Sequence, residues 1–337
     1  MNTSTAITTK AASQQIAATK PSRLAMLTGF LLAPAPILLL LLFALFSVAS
    51  PSFLTMFNLS NVLLHASLIG LLAIGLTPVI ISGQIDLTVG SVLGLAACIA
   101  VGFQGVLGLW GAVLLAIAAG TVLGILNGVI IERTGVNAFI VTLAGMIGIR
   151  GLAFVIFGDT SLSTSDERFA VIGALKIGPL SIITIAFLVV ALIVGAMMRQ
   201  SIHGRNTYAI GGSRRAAGDS GIMVGKHVIA NFALCGALAA LAGVCMAAQL
   251  TSAQPSYGRD YELWAVIAVV LGGTRMRGGR GTIAGTVVAV IALSILRNGM
   301  NLINVSPFYV PVITGLTLIG ALVIDRKFSS RSGGAGE

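Results

Sequence analysis

The stretch LIGLLAIGLTPVIISGQIDLTVGSVLGLAACIAVG, residues 68–102, contains one charged side chain, Asp86, and consists of two apolar runs around a short polar break. A run of about 20 apolar residues is long enough to cross the hydrocarbon core of a bilayer as a helix. Comparable runs recur along the whole chain, near 30–49, 62–83, 88–106, 109–131, 137–157, 180–198, 227–250, 262–274, 281–300 and 309–325. The pattern predicts an all-α polytopic membrane protein with about ten transmembrane helices.

The composition excludes a soluble globule of this size. Of the 337 residues, 56% are hydrophobic and only 9% are charged, whereas soluble domains carry about 25% charged residues. Glycine is abundant, with 42 copies, and glycines inside apolar runs suit close helix packing in lipid. The stripe Gly120, Gly124 and Gly128 is therefore predicted to be a helix-packing surface.

The distribution of the net charge of +10 predicts the orientation of the chain. With the N-terminus inside, fifteen of the 20 Lys and Arg residues fall in inner segments and three in outer ones. Because basic residues concentrate in cytoplasmic loops, both termini are expected to be cytoplasmic. No basic stripe with interleaved aromatics is present, so a nucleic-acid partner is not expected.

The same reading divides the chain into a disordered cytoplasmic tail at 1–29, a transmembrane domain at 30–325 and a cytoplasmic tail at 326–337. Within the domain, 199–226 is the only inner segment long enough to dock a partner. The segment 262–274 is too short to cross alone, so it is either extended by its flanks or partly re-entrant.

No catalytic or metal-binding set is apparent. The phosphate-binding loop motif GxxxxGK[ST] is absent, so this chain is not expected to hold ATP by that route. The histidines and cysteines do not stand at metal-ligand spacing, at His65, His203, His227, Cys98, Cys235 and Cys245. The sequence predicts that the chain is not an enzyme and binds neither a cofactor nor a metal.

Polar residues interrupt the apolar runs at two places. In the first, GQIDLTVGS (83–91), Asp86 either caps the following helix together with Thr88 or contacts a translocated substrate. In the second, residues 257–281, the acids and aromatics Tyr261, Glu262 and Trp264 either bind a sugar ring at a cavity mouth or form an interfacial girdle.

Three further features carry charge. Arg150 lies within an apolar run, about seven residues from its outer end, where a pairing or cavity-facing role is expected. Arg297 lies near the end of its run and can extend towards the interface. The inner loop GRNTYAIGGSRRAA (204–217) is either a docking element or a solvated connector.

Five motifs together resemble the ribose-type permeases of bacterial ATP-binding cassette (ABC) sugar importers, in a larger family that also includes branched-chain amino acid permeases. They occur in the family's order, as GQIDLTVGS (83–91), VNAFIVTLAGMIGIRG (136–151), GRNTYAIGGSRRAA (204–217), TSAQPSYGRDYEL (251–263) and VLGGTRMRGGRG (270–281). The matched region, about residues 55–325, covers nearly the whole chain.

The resemblance implies a permease subunit for a pentose or hexose in the bacterial cytoplasmic (inner) membrane. Implied partners are a second permease subunit, identical or not, cytosolic ABC ATPases that hold ATP and Mg, and a periplasmic sugar-binding protein, besides membrane lipid. The ATPase-coupling loop would use Gly204, Arg205, Tyr208, Gly211, Gly212, Arg214 and Arg215. The substrate-path candidates are Gln84, Asp86, Asn137, Arg150, Tyr261, Glu262 and Trp264.

The sequence departs from the family at Gln84, where glycine is common, and at Trp264, where an acid is frequent. Family members also have fewer arginines in the segment where this chain has Arg275 and Arg277. Two alternatives remain: an ABC permease for a non-sugar solute, and a proton- or sodium-coupled secondary carrier. A carrier would place ionisable groups near the midplane, whereas Asp86, Glu132 and Glu262 are expected at the edges of the spans.

Overall fold

The computed structural model describes residues 34–306, 308–316 and 319–320. The helices are α1 (Pro34–Ala49), α2 (Met56–Ile81), α3 (Val89–Gly102), α4 (Gln104–Thr134), α5 (Ala138–Phe157), α6 (Glu167–Ala174), α7 (Ile182–Gln200), α8 (Ile202–Gly212), α9 (Arg214–Asp219), α10 (Val224–Leu250), α11 (Tyr261–Leu271) and α12 (Ile283–Leu302). The short strands are β1 (Leu162–Ser163), β2 (Lys176–Ile177), β3 (Leu180–Ser181) and β4 (Ser252–Ala253).

Six of these helices are long and apolar enough to cross a membrane, namely α2, α4, α5, α7, α10 and α12. The apolar helices α1, α3 and α11 have only 16, 14 and 11 residues, so each needs its flanks to complete a crossing of about 30 Å. The predicted all-helical membrane architecture is confirmed. The tails predicted at 1–29 and 326–337 lie outside the described residues.

Helix α3 is enclosed on all sides. Every residue from Val89 to Val101 is buried, because α4, α5, α10 and α11 surround the helix. A helix that is apolar around its whole circumference is stable either inside a protein or facing lipid, and here protein surrounds it. Since α3 has no lipid-facing side, its position depends entirely on its protein neighbours.

The glycine stripe on α4 packs against α10, as its spacing predicts. A Cβ at Gly120 would lie 2.6 Å from the Gly236 carbonyl oxygen, and one at Gly128 would lie 2.9 Å from the Ile229 Cα. Gly124 faces the Phe232 carbonyl oxygen even more closely. Small side chains therefore allow the two backbones to approach.

Replacing Gly124 by isoleucine is expected to lower the thermal stability of the detergent-solubilised protein. Its side chain would enter the space of the α10 backbone, and overpacking of this kind costs about 1–3 kcal/mol. The matched control is Ala118→Ile on the exposed side of the same helix, which should leave the melting temperature unchanged. Equal melting temperatures for the two variants would contradict this packing.

Polar pairs join α2 and α12 near both ends. At one end the amides of Asn58 and Asn298 donate to each other, at 3.1 and 2.8 Å. At the other, the hydroxyls of Thr77 and Thr286 are 2.9 Å apart. Because such side-chain hydrogen bonds hold membrane helices together, α2 and α12 are expected to move as one unit.

The loop between α5 and α7 is folded. Strand β1 pairs antiparallel with β4, and α6 packs against α10 through Gly173, beside the Ala248 backbone. Asp166 accepts a hydrogen bond from the Arg168 amide at the start of α6. Hydrogen bonding to the Arg168 guanidinium lowers the pKa of the half-buried Asp166 carboxyl.

Candidate functional site

Two non-helical segments enter the helix bundle from opposite ends, and we name them the first break (residues 82–88) and the second break (residues 251–260). The first break begins where α2 ends, near the start of α5. The second break begins at β4, which pairs with β1 just beyond the end of α5. The two entry points are therefore separated by the length of α5. Its 20 residues span about 30 Å.

The second break meets the first turn of α3, directly after the first break, and we name this contact the meeting point of the breaks. A Cβ at Gly90 would lie 2.5 Å from the Gly258 carbonyl oxygen, and one at Gly258 would lie 2.6 Å from the Gly90 carbonyl oxygen. Thr88 marks the depth, because its hydroxyl accepts a 3.2 Å hydrogen bond from Asn127, in the interior of α4. Asp86, two residues before Thr88, and Glu262 are both buried inside the bundle, whereas the sequence predicts that they lie at the edges of the spans.

Hydropathy misplaces these two carboxyl groups for a physical reason. It predicts that 84–87 is a short connection at the inner surface, but the chain instead turns back into the bundle after Ile81. Segment 262–274 is likewise preceded by a re-entrant stretch, since α11 starts at the meeting point with Tyr261. Non-helical backbone at this depth is tolerated where protein surrounds it.

Asp86 organises the end of the first break. Its Oδ1 accepts hydrogen bonds from the Thr88 amide at 2.9 Å and from the Thr88 hydroxyl at 2.6 Å. The side chain is fully buried, with the Cys235 thiol beside the carboxyl group. This geometry is that of a cap near the N-terminus of α3, where a carboxylate is favoured by the free amides.

Arg150 holds the second break in place. From α5, its Nη1 donates to the carbonyl oxygens of Pro255 and Tyr257, at 2.6 and 2.5 Å. The buried carboxyl of Glu262 lies within its electrostatic reach. A guanidinium carries several donors in a fixed geometry, so one side chain can fix this irregular backbone.

Replacing Gly90 by alanine is expected to reduce transport by at least about tenfold. The new methyl group would collide with the Gly258 carbonyl and the Glu262 carboxyl, and overpacking of about 1–3 kcal/mol acts directly on the contact between the breaks. Gly148→Ala on α5 is the matched control, since its Cβ would meet open space. Equal uptake rates for the two variants would show that the breaks are not closely packed during transport.

The end of α2 also contacts α8, in a contact we name the inner junction. A Cβ at Gly211 would collide with the Ile81 carbonyl oxygen and the Gly279 amide nitrogen. Gly279 itself donates to Ile81 across 2.9 Å. The Tyr208 hydroxyl donates to the Gly281 carbonyl at 2.9 Å, and burial raises the pKa of this phenol, which keeps it a donor.

Comparison with known proteins identifies the chain. The family described as "Branched-chain amino acid transport system / permease component" matches residues 58–322. The chain belongs to this permease family. It is therefore a multi-pass membrane protein and a permease component of a transport system.

Individual relatives extend the comparison. The chain is 40% identical over 296 residues to the ribose import permease protein RbsC of Escherichia coli (strain K12), covering 86% of this chain and 92% of that protein. RbsC of Bacillus subtilis (strain 168) is 39% identical, with coverages of 87% and 92%. The L-arabinose transport system permease protein AraH of Escherichia coli (strain K12) is 37% identical, with coverages of 85% and 87%. No solved structure matches the chain significantly.

The candidate path residues of this permease occupy three levels. Gln84 and Asn137 line an inner cavity of about 560 Å³ between the first break and the α4–α5 turn. Tyr261 and Trp264 line an outer cavity of about 290 Å³ between α2, α11 and α12. The buried Asp86 and Glu262 and the half-buried Arg150 lie around the meeting point of the breaks, so the structure does not bring all the candidates into one pocket.

The coupling-loop candidates separate into two groups. Gly204, Tyr208 and Gly211 face the permease, with Gly204 against the Met198 backbone. The exposed residues are Arg205, Gly212, Arg214 and Arg215. Arg214 forms a 2.5 Å ion pair with Glu132 at the end of α4, so part of this charge is used within the permease.

A histidine pair joins α8 to α10, and its sequence spacing gives no sign of the contact. Nδ1 of His227 and Nδ1 of His203 are 2.8 Å apart, and His203 Nε2 lies 2.8 Å from the Asn231 Oδ1. Asn206 reaches the other nitrogen of His227 at 3.0 Å. Asn231 in turn donates to the Pro78 carbonyl near the end of α2, so α8 is tied to α2 by a second route.

Proposed function

We propose that this permease is the membrane subunit of an ABC importer for a monosaccharide, in the bacterial cytoplasmic (inner) membrane. The named relatives support the sugar class, because they are ribose and L-arabinose permeases. As a permease component it carries the solute without chemical change. The chain would work with cytosolic ATPases that hold ATP and Mg, a periplasmic binding protein and a second permease subunit, identical or not.

The inner junction is the observation that supports ATP coupling most strongly. The exposed face of α8 and α9, with Arg205, Gly212 and Arg215, is available to a cytosolic ATPase. Its opposite face contacts Ile81, from which the first break leads directly to Asp86 and α3. A displacement of α8 by the ATPase would therefore pull on the break.

The proposed path runs from the outer cavity, past the meeting point of the breaks, to the inner cavity. In the state described, packed residues separate the two cavities. Movement of α2, α12 and the first break would open the passage, and Asp86 and Arg150 would act by positioning the two breaks. Tyr261 and Trp264 would contact sugar on the outer side, and Gln84 and Asn137 on the inner side.

The proposed topology has ten crossings with both termini cytoplasmic. Helices α3 and α11 each form one crossing together with the break that precedes them, which accounts for their short lengths. The last crossing begins with the helical residues 309–316. The basic residues then follow the positive-inside distribution.

A secondary carrier is the rival from another class, and one observation favours it. Asp86 and Glu262 are buried ionisable groups inside the bundle, and such groups serve as proton or cation relays in carriers. Against it stand the permease family and the inner junction, which suits an ATPase. The energy source separates the two hypotheses.

Uptake of labelled sugars by cells that express the complete transport system tests this proposal. The panel contains ribose, arabinose, xylose, galactose and rhamnose, with leucine as a non-sugar solute. We expect uptake of one sugar class to survive an ionophore while cellular ATP is maintained, and to stop when the ATPase is inactivated. Uptake that stops with the ion gradient and ignores the ATPase would establish a carrier instead, and leucine uptake alone would overturn the sugar assignment.

A further inference from the structure

The outer cavity carries a set of polar side chains that no role described above requires. Its walls come from α2, α11 and α12, and its polar lining includes Asn61, His65, Ser294, Arg297, Asn298 and Asn301. Trp264 adds an aromatic surface. The sequence predicts that Arg297 extends towards the interface, and in the structure its side chain is exposed and also lines this cavity.

His65 and Arg297 are exposed side chains on two candidate spans. His65 is nine residues into α2, about 13 Å from its start, and Arg297 lies within α12. Polar and ionisable groups in transmembrane segments are costly unless they face partners or water. The side chains of His65 and Arg297 therefore need water or a polar ligand as a partner.

Most of the lining has unused hydrogen-bonding capacity. Among the described residues, the side chains of Asn61, His65 and Arg297 form no hydrogen bond or ion pair. Asn298 is different, since its reciprocal pair with Asn58 fixes its amide in the wall. The cavity thus presents free donors and acceptors on a wall that is already held in place.

The chemistry of this set matches a sugar ring. Each sugar hydroxyl both donates and accepts, as do the amide of Asn61 and the imidazole of His65, and a Trp264 indole offers a flat surface for the ring. The volume of about 290 Å³ lies just below the usual range of about 300–1,000 Å³ for small-molecule sites, which suits one ring.

The charge of the lining further restricts the class of ligand that the cavity can bind. Among the described residues of this lining, Arg297 is the one formally charged side chain and none carries a carboxylate. An amino acid would leave its ammonium group without a counter-ion, which is costly in such a setting. A phosphate would find one guanidinium and no second cation, and the exposed Arg297 can stay hydrated without an anion, so a neutral polyol fits best.

We propose that the outer cavity is a binding site for a single neutral sugar ring within the permease, with Asn61, His65 and Arg297 as hydrogen-bonding residues and Trp264 as the stacking surface. The site would hold the sugar on the outer side of the closed breaks, between release by the binding protein and passage. This inference rests on the proposed sugar-import function.

The protein supplies its own reporter for a test. Its two tryptophans are Trp110 and Trp264, and Trp110 is exposed on α4, away from this cavity. In a Trp110→Phe background, Trp264 is the only tryptophan, so the tryptophan fluorescence reports on this cavity alone. We expect a saturable change in its fluorescence when the sugar that the complex imports is titrated into the full chain in nanodiscs, and no change with leucine.

Two variants test whether the fluorescence change comes from sugar bound in the outer cavity. Asn61→Leu and Arg297→Gln should each weaken sugar affinity by at least tenfold, whereas Ser60→Leu, the neighbouring change on the same helix outside the cavity, should leave it unchanged. Nanodiscs with and without anionic lipid separate a sugar from a lipid headgroup. A response to anionic lipid and not to sugar would overturn the inference.

Uptake measured in parallel separates failure of this inference from failure of the proposed function. ATP-dependent sugar uptake with no Trp264 response, or with normal uptake by Asn61→Leu and Arg297→Gln, would overturn the binding site and leave the importer intact. Absence of sugar uptake by the unmodified complex would overturn the proposed function itself. Saturable binding with variant-specific loss of affinity would establish the site.

Discussion

Uptake by an Arg150→Met variant is expected to fall by at least about 100-fold. Methionine keeps much of the side-chain length but removes the donors that hold the carbonyls of Pro255 and Tyr257. Hydrogen bonds to a charged group contribute about 1.5–3 kcal/mol each, and about 1.4 kcal/mol corresponds to a factor of ten. The second break would lose its anchor on α5, and Glu262 would lose its nearby positive charge.

Arg259→Met is the matched control for this prediction. Arg259 lies in the same break but is exposed and donates no side-chain hydrogen bond among the described residues, so its loss should change uptake by less than about threefold. Glu262→Gln should partly restore the Arg150→Met variant, because it removes the uncompensated carboxylate. The membrane level and melting temperature of each variant distinguish lost function from lost protein. Normal uptake by Arg150→Met would contradict the anchoring role.

The second large effect is expected at the inner junction, where Gly211→Ala should reduce uptake by at least tenfold. Its methyl group would occupy the space of the Ile81 carbonyl and the Gly279 amide, and these backbone atoms cannot yield as a flexible side chain would. The exposed face of α8 and α9 is unchanged, so the ATPase should still co-purify. The expected result is a complex that assembles and hydrolyses ATP but imports little sugar.

Gly148→Ala on α5 is the control. It makes the same chemical change at an exposed position where a Cβ meets open space, and Gly148 lies outside the face of α8 and α9 that is proposed to meet the ATPase. Uptake by this variant should equal that of the unmodified complex. Similar uptake by the two alanine variants would show that α8 does not act on α2 through this contact. Loss of ATPase co-purification with Gly211→Ala would assign the residue to docking instead.

Hydropathy predicts the architecture well, because the bilayer imposes a length and a polarity on each span. It predicts the apolar stretches that become α2, α4, α5, α7, α10 and α12, and the glycine spacing correctly predicts the contact between α4 and α10. The polar residues around Asp86 also mark the first break. Their depth is not predictable in this way, because hydropathy records the polarity of a residue and not where the chain turns back.

The sequence also does not predict which groups pair with each other in the site, for a related reason. The sequence shows that Arg150 needs a partner, but its acceptors are backbone carbonyls of Pro255 and Tyr257, which leave no mark in residue type. His203 and His227 meet only because α8 folds back on α10. The apolar run around Arg297 gives no sign of the cavity that its side chain lines.

The width of the inner cavity in different nucleotide states tests the central claim most directly, which is that the ATPase acts on the first break through α8. Spin labels at Val136→Cys and Met276→Cys, both exposed at the rim of this cavity, would report that width in the intact complex. We predict a change of several ångströms on ATP binding, and its disappearance in the Gly211→Ala background. An identical distance distribution in every nucleotide state, while the labelled complex still imports sugar, would contradict the account.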